Sequence, residues 1–485
     1  MKSIGYLGLD IGGTGAKAAV FDGEGRMLGF GRASCTPSTS PDGLTEIPIE
    51  EIYSSARDAV RTAVEESGAK ISAAAISSQG QTFVTLDSED RPLHPAILWY
   101  DGRGAAQGAR LRETAEAMNV KENTFPDSIS SVSKILWLRE KDPRSMQNAR
   151  RYLLLPDYLS YALTGEAVTD PSTARSSGLY LDDAPGYSSE MLNLSGIEKD
   201  QLAEISLPGT PIGTIAGSRA EEWGLDEETL LVVGTNDQYS GALGAGNCRP
   251  GIVSETTGTC LALVTLAEKL RNPLPSGLIG GRFPIPKYEF ALAYAKTAGL
   301  LIDWFQGRFC PGLTLAELGE MAASVPPGSG GVTVLPHFDG MISPTPNSEA
   351  RGVIFGLTIG MGVAEIYRAI LESISFSLRE NLDLLKESGY NIEVVRSIGG
   401  GAKSDLWLQM KADVTGIPIE RPMVTEAATL GAAMLAAVGV GDFHSVEESS
   451  RRLYHIERIF EPNSRATKLY EGPYSDYKRL FKRLF

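Results

Sequence analysis

The sequence predicts an α/β protein of two domains, and three observations lead to this class. At 485 residues the chain is longer than one hydrophobic core usually serves, so about two sizeable domains are expected. Short apolar strand candidates alternate with helix candidates along the chain, as they do in α/β proteins. A strand, a Gly/Thr turn and a second strand near the N terminus recur about half a chain later, at residues 251–265. The recurrence suggests two related halves, although such turns are common enough that coincidence stays open.

The first element is a β-hairpin with a glycine-rich turn. Residues 4–9 form an apolar strand candidate that ends on Asp10, and residues 16–21 form the second strand. Glycines allow successive N–H groups to converge on one anionic oxygen, and threonine hydroxyls add donors. The adjacent carboxylate suits Mg²⁺, so phosphate plus magnesium is the joint interpretation, with an ordinary hairpin as the alternative. A dinucleotide fingerprint must open a helix, which residues 17–21 do not resemble, and the Gly-Lys-Ser/Thr of a P-loop is missing from the sequence.

The remaining elements follow from hydrophobic periodicity and turn chemistry. In order we expect a helix at 51–67, a strand at 73–78, helices at 132–141 and 156–163, a strand at 230–233, a helix at 241–246, the second hairpin at 251–265, a loop at 326–331, a helix at 362–388, a strand at 394–398, and helices at 404–414 and 426–437. Ser404 is a plausible N-cap of its helix. The basic, aromatic tail from residue 451 onwards is expected to be helical and to dock back on the body. The predicted domains are residues 1–247 and 248–448, followed by a tail at 449–485.

Composition limits the classes of function. The net charge of −15, from 45 basic and 60 acidic residues, argues against a nucleic-acid binder. Any phosphate must then be bound by backbone amides and a metal rather than by a lysine cluster. The four cysteines lie far apart without a C-x-x-C pair, which indicates buried thiols in a reducing compartment, and the scattered histidines do not suggest a zinc site. We find no charged-then-apolar leader and no membrane-length apolar run, so we expect a cytoplasmic protein.

Several motifs together resemble the FGGY family of carbohydrate kinases, in the superfamily of actin, hexokinase and Hsp70. Residues 352–357 (GVIFGL) and 365–372 (EIYRAILE) resemble the second family signature. Residues 134–140 (KILWLRE) resemble the first, although Ile129 and Lys141 depart from its ends. Residues 77–82, 97–103 and 155–159 match the sugar-side blocks of the family. The closest resemblance is to xylulokinase-like and fuculokinase-like members.

The resemblance implies a fold and a reaction. The fold consists of two ribonuclease-H-like domains, each with a mixed five-stranded sheet, around a central cleft whose closure would exclude water. The reaction is ATP-dependent phosphorylation of a terminal hydroxyl of a ketose sugar, with Mg²⁺ on the phosphates. The implied partners are a small-molecule sugar and MgATP, with neither nucleic acid nor membrane and with a possible homodimer.

The resemblance also implies roles for individual residues. Asp237 would be the general base and, with Asp10, would hold Mg²⁺. The alternatives from the residues alone are a helix cap for Asp237 and a turn-forming residue for Asp10. The candidate phosphate and nucleotide contacts are Gly13, Thr14, Lys17, Thr256, Thr257, Gly258, Gly299, Gly400, Gly401, Ala402 and Ser404. The candidate sugar contacts are Gln81, Asp101, Arg103 and Gln238.

Some of these assignments have open alternatives. Lys17 could equally point to solvent, and Asp101 and Arg103 could form a structural ion pair. Glycerol kinases carry Arg-Glu, and many xylulokinases Met-His, where this chain has Gly80-Gln81, so the sugar is open between a ketose and L-fuculose, gluconate, erythritol or glycerol. Rivals from other classes are an actin- or Hsp70-like ATPase switch and a catalytically silent sugar sensor.

Overall fold

The computed structural model describes residues 3–118, 126–181, 186–271 and 273–485. The chain divides into two compact units, which we call unit 1 and unit 2. Unit 1 comprises Met1–Gly244, Arg282–Pro286 and Ala428–Leu453, and unit 2 comprises Ala245–Gly281, Lys287–Ala427 and Tyr454–Phe485. The predicted division after residue 247 lies close to the observed one at Gly244. Residues 428–453 differ from the prediction, because they belong to unit 1 rather than to the second domain and the tail.

The described residues contain strands and helices in alternation. The strands are β1 (Ile4–Gly12), β2 (Gly15–Phe21), β3 (Met27–Ser34), β4 (Ser38–Thr39), β5 (Thr45–Ile47), β6 (Lys70–Ser78), β7 (Phe83–Leu86), β8 (Ala96–Ile97), β9 (Arg151–Leu154), β10 (Val168–Thr169), β11 (Tyr180–Leu181), β12 (Gly186–Tyr187), β13 (Glu204–Ile205), β14 (Pro211–Thr214), β15 (Leu230–Asn236), β16 (Gly251–Thr257), β17 (Leu261–Ala267), β18 (Leu278–Arg282), β19 (Glu289–Ala295), β20 (Thr333–Leu335), β21 (Val353–Phe355), β22 (Ile392–Ile398), β23 (Ile419–Pro422) and β24 (Ile456–Phe460). The helices are α1 (Ile49–Ser67), α2 (Ala105–Ala117), α3 (Ser131–Lys141), α4 (Pro143–Met146), α5 (Leu155–Thr164), α6 (Pro171–Arg175), α7 (Ser189–Ser195), α8 (Gly217–Trp223), α9 (Asp237–Gly244), α10 (Gly299–Phe309), α11 (Leu315–Ala323), α12 (Val363–Glu387), α13 (Asp405–Thr415), α14 (Ala427–Gly439), α15 (Val446–Leu453) and α16 (Ser464–Leu484).

Unit 1 is built on a mixed sheet with the strand order β14-β15-β6-β1-β2-β3. The strands β15, β6 and β1 are parallel, whereas β1, β2 and β3 form an antiparallel meander. The helix α1 buries its apolar stripe, including Ile52, Ala56 and Val60, in the same core as β1 and β2. A smaller sheet, β4-β5-β8-β7-β9, adds to this unit and carries the residues around position 100.

Unit 2 repeats this topology. Its sheet has the order β18-β19-β17-β16-β22-β23-β24. The strands β16, β22 and β23 are parallel, and β16 forms an antiparallel hairpin with β17, which pairs with β19. Five strands of each sheet therefore correspond one to one, with extra edge strands in both units. This duplication confirms the α/β class with two ribonuclease-H-like domains, and it explains why the hairpin recurs in the sequence.

The C-terminal segment ends in the helix α16, which packs within unit 2. Its Tyr470, Tyr474 and Tyr477 are buried in the core that also contains α12 and α13. The Tyr474 hydroxyl donates to Asp383 on α12 at 3.0 Å. The aromatic residues of the tail therefore form one apolar face of a helix.

Two further observations bear on sequence expectations. All four cysteines are free thiols, and Cys35 and Cys310 are buried. In the described part of the chain we find no helix with the length and apolar character needed to cross a bilayer.

Candidate active site

Three neighbouring parallel strands of unit 1 end at one edge of the sheet, and both candidate carboxylates lie there. Asp10 on β1 lies opposite Ser77 on β6, and Ser77 lies opposite Thr235 on β15. Because neighbouring strands are roughly 4.8 Å apart, the Cα atoms of Asp10 and Thr235 are about 10 Å apart. Asp237 follows Thr235 by two residues at the same end. The topology of unit 1 thus brings residues 10 and 237 to a common edge.

The first hairpin has the predicted form. The strands β1 and β2 pair in register up to Gly12 and Gly15, which leaves Gly13 and Thr14 as the turn. Thr14 is exposed at the tip. Gly15 has φ = +149°, and a Cβ there would lie 2.3 Å from the carbonyl oxygen of Ala33, so only glycine fits. A side chain at Gly13 would approach the Gln79 Oε1 atom to 3.4 Å.

Asp10 lies beside this turn and is half-buried. Its Oδ1 atom accepts a hydrogen bond of 2.8 Å from the Ser77 hydroxyl. Lys17 lies directly opposite Asp10 across the hairpin, and directly opposed residues of an antiparallel pair share one face. Lys17 is therefore on the same face as the candidate metal ligand, where a cation can contribute to binding of an anionic group.

Asp237 is the first residue of α9, so the helix begins four residues before the predicted position at 241. Burial raises the pKa of its carboxyl to about 6, against a hydrogen bond from the Gln238 N–H that lowers it. The same N–H donates to Asn236 Oδ1 at 3.1 Å, so the Asn236 side chain acts as a cap of α9. A carboxylate with a pKa of about 6 is ionised at neutral pH and is more basic than an ordinary aspartate, which suits a general base.

Gln81 is held in a left-handed backbone conformation, with φ = +59°. Such a conformation is uncommon for a residue with a side chain and is maintained by surrounding contacts. The Ser176 hydroxyl accepts from the Gln81 N–H at 3.0 Å, and the Ser131 hydroxyl donates to the Gln81 carbonyl at 3.1 Å. These two hydrogen bonds fix the position of the Gln81 backbone, from which its half-buried side chain extends.

Lys134, from the block that resembles the first family signature, also contacts the backbone at Gln81. Its ammonium is fully buried and donates to the carbonyl oxygens of Leu98 at 2.8 Å, Trp99 at 3.0 Å and Gln81 at 3.4 Å. Burial lowers the pKa of Lys134 to about 7, although the charge of Asp101 opposes this. Periodicity alone did not assign Lys134 a role, since it occupies a helix position that could equally face solvent.

Asp101 and Arg103 form a buried ion pair in unit 1. Arg103 Nε donates to Asp101 Oδ1 at 2.9 Å and Arg103 Nη2 to Asp101 Oδ2 at 2.8 Å, and both side chains are at most 1% exposed. The N–H groups of Thr45 and Arg103 also donate to this carboxylate. Burial raises the pKa of Asp101, but the hydrogen bonds from Arg103 and Thr45 bring it below its ordinary value. With both carboxylate oxygens already accepting two hydrogen bonds, the geometry favours the structural alternative over sugar contact.

The second hairpin resembles the first, although its turn is one residue longer. The strands β16 and β17 pair up to Thr257 and Leu261, which leaves Gly258, Thr259 and Cys260 as the turn. Thr259 is exposed at the tip, as Thr14 is in unit 1, and Thr256 is half-buried. Thr256 and Thr257 are the predicted phosphate contacts of this hairpin, and Thr259 was not among them. Alignment of residues 10–14 (DIGGT) with residues 255–259 (ETTGT) would have identified it.

The Thr257 hydroxyl points into a buried polar network. It donates to Glu255, and the Lys411 ammonium donates to the Thr257 hydroxyl at 2.9 Å. Lys411 also donates to Glu255 Oε1 at 3.1 Å and to Oε2 at 3.0 Å, and Ser397 donates to the same carboxylate. Both charged side chains are 0% exposed. A phosphate contact by Thr257 would therefore come from its backbone N–H.

The Gly-rich loop after β22 packs against the second hairpin. Gly399 has φ = +80°, and a Cβ at Gly401 would lie 2.7 Å from Thr257 Cβ. Gly400 is exposed, whereas Gly401 and Ala402 are buried. Ser404 is the N-cap of α13 as predicted, since its hydroxyl accepts from the Trp407 N–H at 3.3 Å. Of the predicted loop contacts, Gly400 thus presents the most open backbone.

Gly299 begins α10 in contact with the turn of the second hairpin. Its N–H donates to the Gly258 carbonyl at 2.8 Å, and a Cβ there would lie 2.4 Å from that oxygen. The Ala298 N–H donates to the Thr259 carbonyl at 3.0 Å. This glycine therefore has a structural role in holding the turn.

A magnesium site can be assessed from the donor set. In the described ranges, no three or more His, Cys, Asp or Glu side chains converge to hold a metal ion. Mg²⁺ keeps several waters and is commonly bound through one or two carboxylates plus substrate phosphates. The half-buried Asp10 carboxylate beside a phosphate-type turn fits a site of that kind.

Comparison with known proteins identifies the family of this chain. The model of the FGGY family of carbohydrate kinases matches with its N-terminal domain at residues 5–244 and its C-terminal domain at residues 290–440. The chain is 26% identical to the xylulose kinase of Staphylococcus epidermidis over 480 residues, which covers 98% of this chain and 96% of the relative. It is 29% identical to the autoinducer-2 kinase of Escherichia coli K12 over 506 residues, covering 98% and 94%.

A solved structure shows the same fold. The ligand-bound xylulose kinase from Lactobacillus acidophilus superposes with a TM-score of 0.89 at 23% identity, covering 99% of this chain and 98% of that one. The two family domains together match most of the chain and include the first hairpin and the strand that leads to Asp237. The protein therefore belongs to the FGGY family of carbohydrate kinases.

Proposed function

We propose that this carbohydrate kinase transfers the γ-phosphoryl group of ATP to a terminal hydroxyl of a ketose sugar, in the manner of a xylulokinase. The observation that carries the proposal is the Asp237 carboxyl, whose pKa is raised to about 6 at the sheet edge where Asp10 also lies. The relatives support the substrate class, because xylulose kinases cover nearly the whole chain.

Asp237 acts as the general base in this proposal. Its carboxylate accepts the proton of the sugar hydroxyl while the hydroxyl oxygen forms a bond to the γ-phosphorus. The bond between that phosphorus and the β–γ bridging oxygen breaks, and ADP leaves with its electron pair. A positioned base typically contributes 10²–10⁴-fold, or roughly 3–5 kcal/mol of barrier.

Backbone amides bind the phosphates in this proposal. Gly13 and Thr14 in unit 1, and Gly258 and Thr259 in unit 2, form hairpin turns whose N–H groups and exposed hydroxyls are the donors. Asp10 would hold Mg²⁺, which when bound neutralises phosphate charge. Phosphoryl transfer leaves little covalent work to the protein, so positioning and charge stabilisation carry the rate. A chain of net charge −15 is consistent with reliance on amides and metal rather than on a lysine cluster.

A coupled assay of ADP release tests the proposal. Sugar-dependent release in the presence of Mg²⁺ is expected from the wild type, and Asp237→Asn should lose it while nucleotide binding persists, because the amide keeps the shape without the basicity. Asp42→Asn, at an exposed loop position, is the matched control and should keep wild-type turnover. Near-normal turnover in Asp237→Asn, or release that does not depend on sugar, would overturn the assignment.

A second candidate substrate is the one phosphorylated by the autoinducer-2 kinase, because that relative is 29% identical over nearly the full chain. Gly80-Gln81 matches neither the glycerol kinase nor the common xylulokinase pair, so the residues leave this choice open. A panel of D-xylulose, L-fuculose, gluconate, erythritol, glycerol and autoinducer-2 distinguishes the candidates by kcat/KM. The true substrate should exceed the others by at least tenfold, a difference of about 1.4 kcal/mol.

A further inference from the structure

The strand that carries Asp237 is irregular close to its end. The parallel pairing of β15 with β6 shifts register between Val232 and Thr235. Gly234 lies at the shift, and a Cβ there would lie 1.8 Å from the Ile76 carbonyl oxygen. A cavity of about 20 Å³ borders the same stretch and is lined by Ile76, Thr235 and Asp170 among others. Because bulges redirect a strand, and because packing is incomplete here, the sheet alone does not fix the direction in which Asp237 leaves it.

A buried carboxylate, Asp170, is hydrogen-bonded to this strand end. It is 3% exposed and precedes α6. Its Oδ2 atom accepts from the Thr235 hydroxyl at 3.1 Å and from the Ser172 hydroxyl at 2.5 Å. The two hydroxyl oxygens are themselves 2.9 Å apart. The Ser172 hydroxyl also lies 3.5 Å from the Asn236 N–H. Three contacts therefore link Asp170 and Ser172, at the N terminus of α6, to the two residues before Asp237.

The same carboxylate fixes the start of α6. Its Oδ1 atom accepts from the Thr173 N–H at 3.2 Å and its Oδ2 from the Ser172 N–H at 3.0 Å, which is an N-cap. Since α6 has five residues, its start determines where its C-terminal end lies.

The C-terminal end of α6 contacts the Gln81 loop. The Ser176 hydroxyl accepts from the Gln81 N–H at 3.0 Å and donates to the Thr173 carbonyl at 2.6 Å. A Cβ at Gly80 would lie 2.7 Å from Ser176 Oγ and 3.2 Å from Asn236 Nδ2, so Gly80 fits closely between the two. The helix α6 thus touches the predicted sugar loop at one end and the strand of the predicted base at the other.

We infer that Asp170 is a positioning residue, which sets Asp237 and Gln81 in mutual register through α6, Ser172 and Thr235. The inference rests on the proposed function of Asp237 and Gln81. Removing the carboxylate releases both contacts at once, so the sugar hydroxyl and the base lose alignment while nucleotide binding by unit 2 is untouched. Misplacement of a reacting group by about 1 Å can cost on the order of 10²-fold in rate.

Three variants separate this positioning role from simple folding. Asp170→Asn weakens the cap and the strand contact together. Thr235→Val removes the contact to the strand alone, and Thr235→Ser restores the hydroxyl. We expect Asp170→Asn and Thr235→Val to lower kcat/KM for the sugar by 10- to 100-fold with KM for ATP within twofold of the wild type, and Thr235→Ser to recover most of the loss.

Asp142→Asn is the matched control. Asp142 is also an aspartate that precedes a proline and caps a short helix, since it accepts from the Ser145 N–H at 3.2 Å at the start of α4. Asp142 is exposed, and it takes no part in the contacts with β15 described above. This variant should keep the wild-type kinetics, which shows that removing the charge of a capping aspartate is not enough.

Hydrogen exchange provides a readout that does not depend on turnover. In Asp170→Asn the amides of residues 79–82 and 234–238 should both exchange faster than in the wild type, and in Asp142→Asn they should not. Equal losses toward sugar and ATP, failure of Thr235→Ser to rescue, or unchanged exchange at either segment would overturn the inference. A wild type without sugar-dependent ADP release would instead count against the proposed function, and the exchange result would still decide the role of Asp170.

Discussion

The buried pair of Glu255 and Lys411 predicts a strongly non-additive effect on stability. Both side chains are 0% exposed, and the ammonium lies 3.0 Å and 3.1 Å from the two carboxylate oxygens. Burial lowers the pKa of Lys411, although the charge of Glu255 opposes this. Removing one member leaves an uncompensated buried charge, which costs about 3–5 kcal/mol of the free energy of unfolding. That is a large part of the 5–15 kcal/mol typical of a domain.

Lys411→Met should therefore lower the stability of unit 2 by about 3–5 kcal/mol. The double variant Glu255→Gln/Lys411→Met removes both charges and keeps a polar partner for Ser397, so it should lose less than half as much. Hydrogen exchange of the β16 and α13 amides across a urea series measures the free energy of opening of unit 2 separately from unit 1. Arg249→Met, from an exposed pair with Glu393, is the control and should change stability by less than about 1 kcal/mol. A cost under about 1 kcal/mol for Lys411→Met, or a cost of the double variant equal to the sum of those of Lys411→Met and Glu255→Gln alone, would refute the reasoning.

Three further predictions concern titration and the sugar site. Because Asp237 must be ionised to accept a proton and its pKa is about 6, kcat/KM for the sugar should fall about tenfold per pH unit below pH 6, and a flat profile between pH 5 and 7 would contradict this. Burial raises the pKa of Asp157 to about 8, so between pH 4 and 8 the folded state holds a proton that the unfolded state has released, and stability falls as pH rises. Asp157→Asn still accepts the Leu154 N–H, so its free energy of unfolding relative to the wild type should rise by up to about 1.4 kcal/mol per pH unit between pH 5 and 7, as measured by urea unfolding. A difference that does not change with pH would argue against this. Gln81→Ala should raise KM for the sugar several-fold with KM for ATP unchanged in the coupled assay, and equal changes would place Gln81 outside the sugar site.

Local patterns predicted the elements of the fold well. The helices at 51–67 and 362–388 match α1 and α12 within one or two residues, and the hairpin at 4–21 matches β1–β2 except that β1 continues to Gly12, three residues beyond its predicted end. Their apolar residues recur at the spacing of one face of a helix or strand, and this spacing does not depend on which element packs against that face. The same holds for Ser404, because an N-cap is a contact within one turn.

Contacts between distant segments could not be predicted in this way. The helix α14 joins unit 1 because its backbone lies directly against β1, where a Cβ at Gly8 would come within 1.7 Å of the Thr429 carbonyl. A second such approach brings Gly431 to Ser240. Small residues permit these approaches without specifying the partner, so the sequence pattern indicated a helix of small residues and nothing about which sheet it covers.

The candidate site shows the same limit at the level of single side chains. Residue type nominated Asp101 and Thr257 as ligand contacts, since carboxylates and hydroxyls suit sugars and phosphates. In the structure, both side chains already accept hydrogen bonds from neighbouring groups of the protein. Which polar group stays open to a ligand depends on its neighbours in space, and those neighbours lie up to 154 residues away in the chain.

The duplicated hairpins differ in the surroundings of their matching carboxylates, Asp10 and Glu255. Asp10 and Glu255 occupy the same place in the two topologies, and each accepts a hydrogen bond from a serine of the adjacent parallel strand, Ser77 or Ser397. For Glu255 to coordinate a cation it would have to leave Lys411 as an unpaired ammonium in the core, at a cost of about 3–5 kcal/mol. Asp10 is half-buried and faces Lys17, which is also partly exposed, so a hydrated cation can approach without leaving a charge stranded in the core. Under the proposed function, the carboxylate that would hold Mg²⁺ is therefore Asp10 of unit 1, whereas Glu255 supports the second hairpin internally.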